Sequence, residues 1–371
     1  MKIVILQGAF LPVPPKLGGA CEKMWFLLAQ KFAARGHDVV HVSKQWGHFP
    51  RSEWIQGVQH VRVTGFETPG SLVWLKLLDC VYTLRAIAAI PKDADVLVTN
   101  TFWAPVLIPL FRKAHIVVDV ARMPKGQMRY YWRAARLRAN STPVANAIRT
   151  ELPQAQHHQV VMIPNPLPYD NSQPIDWSHK GKSILFCGRI HPEKGLDLLR
   201  AAAHALPDGW TISIVGPWKT SEGGGGETYL RTLKGLLDAS KVQFLEPIYD
   251  IDALNLLYRK AAIFVYPSVA EKGETFGLAP LEAMAWGAVP VVSDLACFKD
   301  FITNGANGVV FNHRSSDAQE DLMRCIVRLI HDGALRSAMG VRAQEVNHSH
   351  SAVSIADRFL SDFRQLTRAG I

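Results

Sequence analysis

The sequence predicts an α/β protein of two doubly wound parallel sheets, and three observations lead there. Apolar strand-like runs and amphipathic helix-like runs alternate along the chain in two successive sets. The first set runs from Met1 to about Pro164 and the second begins at Lys182, with IPNPLPYDNSQPIDWSHKG between them. Its prolines and polar residues read as a linker. At 371 residues, 48% of them apolar, the chain can bury two cores of ordinary domain size.

MKIVIL reads as a buried strand, and the loop after it carries Gly18-Gly19 ahead of an amphipathic helix ending at Gly36. A glycine pair in that place lets backbone approach a phosphate closely and adopt positive φ, although a flexible turn would use one as well. The fingerprint G-x-G-x-x-G is absent, which argues against a nicotinamide or flavin enzyme. The opening MKIVILQGAF has one lysine and a very short apolar run, too little for a signal peptide. Phe102 to Phe111 is apolar but broken by Pro105 and Pro109, and is too short to span a bilayer. The five cysteines, Cys21, Cys80, Cys187, Cys297 and Cys325, are scattered without C-x-x-C or Cys/His spacing. They suit reduced thiols in a cytoplasmic protein.

In the second set, the strand SILFCG leads into GRIHPEKG and then a helix-like run, LDLLRAAAHAL. Arg189 and Lys194 would project from a strand-to-helix loop, where α/β sheets bind ligands. An arginine offers a diphosphate a planar fork, and a lysine offers a mobile point charge. The tract SEGGGGE, after the strand TISIVG, reads as a mobile loop; without a following Gly-Lys-Ser/Thr it is no phosphate loop. Further on, GETFGLAPLEAMAWGAVPVVS sets Glu274 and Glu282 eight positions apart. A helix beginning near Gly277 would have unsatisfied N–H groups and a positive dipole end there. Glu274 would stand before the helix mouth and Glu282 two turns along it. The pairs Asp93-x-Asp95 and Asp250-x-Asp252 read as turn and cap residues, so no metal site is expected.

GRIHPEKG followed by E-x7-E, with a glycine-rich first loop and a helix ending RGH-V, resembles the retaining, nucleotide-sugar-dependent glycosyltransferases of the GT-B fold, family 4. The resemblance implies two Rossmann-like domains facing across a cleft, at 1–168 and 169–350. It also implies a terminal helix within 351–371, centred on the amphipathic run Val353 to Leu366, that crosses back to the first domain. It gives catalytic roles to Arg189, Lys194 and Glu274, and donor contacts to Gly18, Gly19, Gly188, Phe276, Gly277, Leu278 and Glu282. Glu282 would bind ribose hydroxyls and Glu274 the sugar, with no metal or other cofactor. Arg189 and Lys194, as loop residues, would matter for turnover and little for folding. Where the family often has a first-domain histidine after a strand, this chain has HIVVDVARMPKG. Asp119 and Arg122 stand there instead, and with Asn165 they are candidate donor or acceptor contacts. VQFLEPI, Val242 to Ile248, is a candidate nucleotide-base contact.

Charge is unequally shared. Residues 1–168 hold 20 Lys and Arg against 9 Asp and Glu, and 169–371 hold 21 against 23. No acid occurs between Asp119 and Glu151, where Arg122, Lys125, Arg129, Arg133, Arg136, Arg138 and Arg149 are interleaved with Tyr130, Tyr131 and Trp132. Such a surface suits an anionic membrane, would also attract nucleic acid, and is equally compatible with a solvated basic helix face. With the family resemblance, the expected partners are a nucleotide-sugar donor, a saccharide or lipid-linked acceptor and the cytoplasmic membrane face, and not nucleic acid. The rival readings are a sugar-nucleotide epimerase of the same fold and a non-catalytic basic binding protein. The first is expected to need acid/base carboxylates and histidines in its cleft, and the second has no use for acidic and basic cleft residues together.

Overall fold

The computed structural model describes residues 1–16, 19–169 and 180–368. It divides into two compact units, Met1–Tyr169 with His350–Ile371, and Asp170–Ser349. No described helix is long and apolar enough to cross a membrane.

The first unit is built on eight strands: β1 (Lys2–Leu6), β2 (Asp38–Lys44), β3 (Ser52–Ile55), β4 (Val58–Val63), β5 (Val96–Thr99), β6 (His115–Val120), β7 (Arg136–Ala139) and β8 (Val160–Met162). Their order is β3-β4-β2-β1-β5-β6-β7-β8, parallel except for the β3–β4 hairpin. Ile3, Val4, Ile5 and Leu6 of β1 are all buried, as a central strand covered on both faces requires. The order turns about between β1 and β5, which is the switch point of this sheet.

The last helix, Ala352–Arg368, belongs to this unit and lies on the helix Ala20–Ala33. Ile355, Phe359 and Phe363, four residues apart, form its buried stripe. Phe359 meets Trp25 at 5.0 Å between ring centroids, and Phe363 meets Phe32 at 6.0 Å. Arg136 Nε donates to Asp362 Oδ1 at 2.9 Å.

The basic tract is not one surface. Arg136 to Ala139 are a β-strand, so successive side chains point to opposite faces. Arg138 is fully buried and pairs at 2.6 Å with Asp119, its register partner on β6. Asp119 also accepts from Trp25 Nε1 at 2.7 Å, and Arg138 donates to Ile163 O at 2.6 Å and to Asn165 Oδ1 at 2.9 Å. Tyr131 is buried, with its hydroxyl on Phe102 O at 3.0 Å. Arg122, Arg129, Tyr130, Trp132 and Arg133 remain outside.

The second unit holds β9 (Ser183–Cys187), β10 (Thr211–Val215), β11 (Val242–Leu245), β12 (Ile263–Tyr266), β13 (Val289–Ser293) and β14 (Val309–Phe311). The order β11-β10-β9-β12-β13-β14 is the doubly wound Rossmann order, wholly parallel, and it reverses between β9 and β12.

His41 on β2 and His60 on β4 stack in the first unit at 5.2 Å, fully buried, with no partner for any ring nitrogen. Burial pushes His60 down to about 4 and His41 well below its ordinary value, and neighbouring Arg62 adds to both shifts. The unfolded chain therefore binds more protons between pH 4 and 6.5. Stability should be complete above about pH 6.5 and fall as pH drops toward 4, by on the order of 3 kcal/mol for His60 alone. Urea titrations at pH 7 and pH 5 check this. His60→Phe should flatten the difference, and an unchanged difference would show that the pair does not set it.

Candidate active site

The site of the second unit forms where its sheet reverses. β9 ends at Cys187 and runs into Gly188 and Arg189; β12 ends at Tyr266 and runs into Pro267 and Ser268. The two following loops are tied together by backbone. Glu193 O accepts from Val269 N at 2.9 Å and from Ser268 Oγ at 3.2 Å. Gly195 fits between them because it is left-handed, at φ 62°, and because any Cβ would overlap the carbonyl of Pro267.

Lys194 stands at this seam. It is buried, its Nζ bonds Glu274 Oε2 at 2.6 Å, and it lies 5.1 Å from the centroid of the Tyr266 ring. Tyr266 also hydrogen-bonds Glu274; burial, then that carboxylate, hold its phenol well above the ordinary value, so it remains a donor. Arg189 is more exposed. Its guanidinium spans Gly223 O at 2.8 Å and Glu193 Oε1 at 2.6 Å. The two cations are thus each held by one carboxylate, four and eighty positions along the chain.

The tract SEGGGGE is not a mobile loop. A 3-10 turn at Thr220–Glu222 leads to the helix Gly226–Leu236, and Gly225 N donates to Ile190 O at 2.8 Å. A Cβ on Gly225 would crowd Pro192 of the GRIHPEKG loop, and one on Gly224 would overlap the backbone of Trp218, so these glycines let the segment pack closely here.

The helix Leu278–Ala285 begins at Gly277, left-handed at φ 88°, with no side chain capping it. Phe276 is buried against Phe301 at 5.5 Å, so its ring holds the turn in place. A Cβ on Gly277 would overlap the Phe298 ring. Glu282, half-buried on this helix, accepts from Tyr258 OH at 3.0 Å. Tyr258 in turn bonds Cys187, whose thiol burial pushes up to about 12, a packed thiol and no nucleophile. Glu282 is therefore tied through Tyr258 to the end of β9, and Glu274 is bonded to Tyr266 at the end of β12. Lys194, Arg189, Gly188, Glu274, Gly277, Leu278 and Glu282 all belong to this one unit.

The remaining candidates belong to the first unit. Gly18 lies outside the described residues. Gly19 has φ 91°, and the carboxylate of Glu22 folds back where its Cβ would stand. Glu22 bonds its own backbone N–H; burial raises its pKa and Arg122 partly offsets this. The mouth of that helix already carries a carboxylate. Asp119 and Asn165 serve the buried Arg138, and Arg122 is exposed. The aspartates do local work: Asp250 caps the helix Ile251–Lys260, Asp95 accepts from Lys2 N at 2.7 Å, and Asp93 holds Lys2 Nζ at 2.7 Å.

Sequence reasoning missed Glu193, Tyr266, Tyr258 and Glu22. Glu193 follows Arg189 by four residues inside the motif, and Glu22 holds the third position of a helix, a usual carboxylate place. The tyrosines gave no local signal.

Residues 170–346 match the family model for glycosyl transferases group 1. The match covers the site just described. A phosphatidyl-myo-inositol mannosyltransferase of Mycolicibacterium smegmatis is 29% identical over 200 residues, 53% of this chain and 48% of its own. The chain spans about half the length of the curated relatives it matches. Over the whole chain the fold is that of sucrose-phosphate synthase from Thermosynechococcus elongatus, with TM-score 0.80, 19% identity and 99% of each chain covered. Anabaena HepE, solved in complex with UDP-glucose, gives TM-score 0.70 at 18% identity over 98% of this chain and 100% of its own. The two Rossmann-like bodies are thus those of the GT-B fold expected from the sequence.

The burial of Lys194 corrects one expectation. It is not an expendable loop residue, because removing it would leave Glu274 nearly buried without its cation. Lys194→Ala should destabilise the protein by about 3–5 kcal/mol, the usual cost of breaking a buried pair. Arg189→Ala, at a surface pair, should cost less than about 1 kcal/mol. Urea unfolding of the two variants distinguishes them, and equal losses would contradict the geometry.

Proposed function

We propose that the protein is a retaining glycosyltransferase that takes its sugar from a nucleotide diphosphate sugar. The observation that carries the reading is the seam at the β9–β12 switch point. There Lys194 is paired with Glu274 in the loop that leads into the uncapped helix start at Gly277, Arg189 is held by Glu193 next to Lys194 in the same motif, and Glu282 lies further along that helix. The family match at 170–346 and the UDP-glucose complex of a chain of the same fold support it.

In this reading the diphosphate lies across the Arg189 fork, Lys194 Nζ and the N–H groups at Gly277. Lysine has three donors, and one is spent on Glu274, leaving two for phosphate oxygens. As the anomeric bond breaks, charge builds on the leaving diphosphate. Donors already aimed at that charge lower the barrier, usually the largest catalytic contribution. Two fixed cations take the part that a divalent metal plays elsewhere, so the reaction needs none. Glu274 holds Lys194 in place and contacts the sugar; Glu282 accepts from the ribose hydroxyls. The acceptor hydroxyl attacks the face from which the diphosphate departs, and a phosphate oxygen takes its proton.

A relative named for a phosphatidyl-inositol acceptor supports a lipid-linked or saccharide acceptor, met at the cytoplasmic face of a membrane, in cell-surface glycan or glycolipid synthesis.

Two measurements test this. UDP-, GDP- and ADP-sugars should be screened by thermal shift, since a ligand at a hundred times its Kd adds about 2.7 kcal/mol of stability. With the donor found, Arg189→Ala should lower turnover by roughly 10²–10³ without added metal while remaining folded. Wild-type turnover in that variant would remove the diphosphate clamp, and stabilisation by none of the sugars would remove the donor reading.

A further inference from the structure

The helix Leu72–Ala89 in the first unit leaves much of its apolar surface uncovered. Its buried residues are Asp79, Tyr82, Thr83 and Ala86, three of them polar. Asp79 accepts from the backbone N–H groups of Phe102 and Trp103, each at 3.1 Å, so it serves to fasten the helix. Several of its apolar side chains face out. Val73, Leu77 and Leu84 are 76%, 50% and 52% exposed, and Ala88 is exposed with them. Positions 73, 77, 84 and 88 fall on a single stripe at 3.6 residues per turn. Leu72 and Trp74 are also exposed, at the start of the helix. Lys76 and Arg85 stand on either side of the stripe.

Neighbouring segments carry further exposed apolar and aromatic side chains. Trp103 Nε1 donates to Lys76 O at 2.8 Å, and Arg112 Nη2 donates to Ile87 O at 2.6 Å, which sets the exposed Leu110 and Phe111 by the far end of the helix. Tyr131 anchors on Phe102 O, and the residues beside it, Tyr130 and Trp132, are exposed and each covered by an arginine, Arg129 or Arg133.

The charge here has one sign. Between Glu67 and Asp93 the single acid is Asp79, and between Asp95 and Glu151 it is Asp119. Both are buried. Lys76, Arg85, Arg112, Lys113, Arg129 and Arg133 therefore meet no exposed acid from these segments. An exposed apolar stripe rimmed by basic residues and aromatic rings has the chemistry of a surface that enters the headgroup layer of an anionic bilayer.

We infer that this face is a docking surface for an anionic lipid bilayer, with the stripe of Leu72–Ala89 as the inserted part and the flanking bases as its electrostatic guide. The inference stands on this helix and is independent of the reaction assigned to the second unit.

The test is co-sedimentation of the full chain with phosphatidylcholine vesicles, with and without phosphatidylglycerol, at low and high salt. The protein should bind the anionic vesicles, and high salt should weaken binding without abolishing it, because the apolar part is not screened. Leu77→Ser with Leu84→Ser should lower partitioning by at least about tenfold, since each leucine gives up a large part of its transfer energy. Lys76→Gln with Arg85→Gln should weaken binding only to the anionic vesicles and reduce its salt dependence. All four residues are exposed, and unchanged circular dichroism and thermal midpoint verify that the variants fold. Failure of the wild type to bind anionic vesicles would overturn the inference, as would wild-type binding by the leucine variant. Analytical ultracentrifugation adds a further check. If the protein is a dimer that the leucine variant dissociates while vesicle binding persists, the face belongs to a second copy of the chain instead.

Discussion

The second unit depends on one buried contact, the 2.6 Å pair of Lys194 and Glu274. At a switch point the connections after adjacent strands leave in opposite directions, and a crevice opens between them. Two hydrogen bonds to Glu193 O, from Val269 N and from Ser268 Oγ, hold the two loops together. The ion pair sets the chemistry of the crevice. Neither ion would survive there alone, because desolvation of a single charge exceeds what isolated hydrogen bonds return. Tyr266 adds a ring beneath the ammonium and a hydroxyl on the carboxylate. A cation so held is fixed in direction before any ligand arrives, and that preorganisation gives electrostatic catalysis its strength.

The first unit contains a pair of the same kind and the same length, Asp119 with Arg138. The two pairs differ in what they leave over. Asp119 has both oxygens engaged, and Arg138 reaches a backbone carbonyl and Asn165 besides Asp119, with neither side chain exposed. That pair is closed, and it joins β6, β7 and the helix Ala20–Ala33 into one body. The Lys194 pair keeps N–H donors beyond its carboxylate and lies beside an exposed arginine. Similar residues thus make scaffold in one unit and a candidate site in the other.

Much of this was legible in the sequence, and the failures have physical causes. The strand-loop-helix units at MKIVIL and SILFCG, the helix start at Gly277 and the terminal amphipathic helix are local patterns, and each appears where the pattern puts it. Arg189, Lys194 and Glu274 come together because strand-end loops converge at a switch point whatever their separation along the chain. The partners are a different matter. Glu282 bonds Tyr258, and Asp119 bonds Arg138, through tertiary contacts that spacing does not encode. The tract from Asp119 to Glu151 read as one basic face, but a strand runs through it and turns alternate side chains inward. The helix Leu72–Ala89 is rich in apolar residues, and only its placement shows that Asp79 and Thr83 are buried while Val73, Leu77 and Leu84 stay exposed.

The central claim is that the switch-point seam of the second unit binds a nucleotide diphosphate. A crystal structure of the protein with UDP, or with the nucleotide of whichever donor stabilises it, tests this most directly. The account predicts diphosphate oxygens within hydrogen-bonding distance of Arg189, Lys194 Nζ and the backbone at Gly277, with the ribose hydroxyls on Glu282. Nucleotide bound with its phosphates away from Arg189 and Lys194, and the Lys194–Glu274 pair undisturbed and uncontacted, would contradict it.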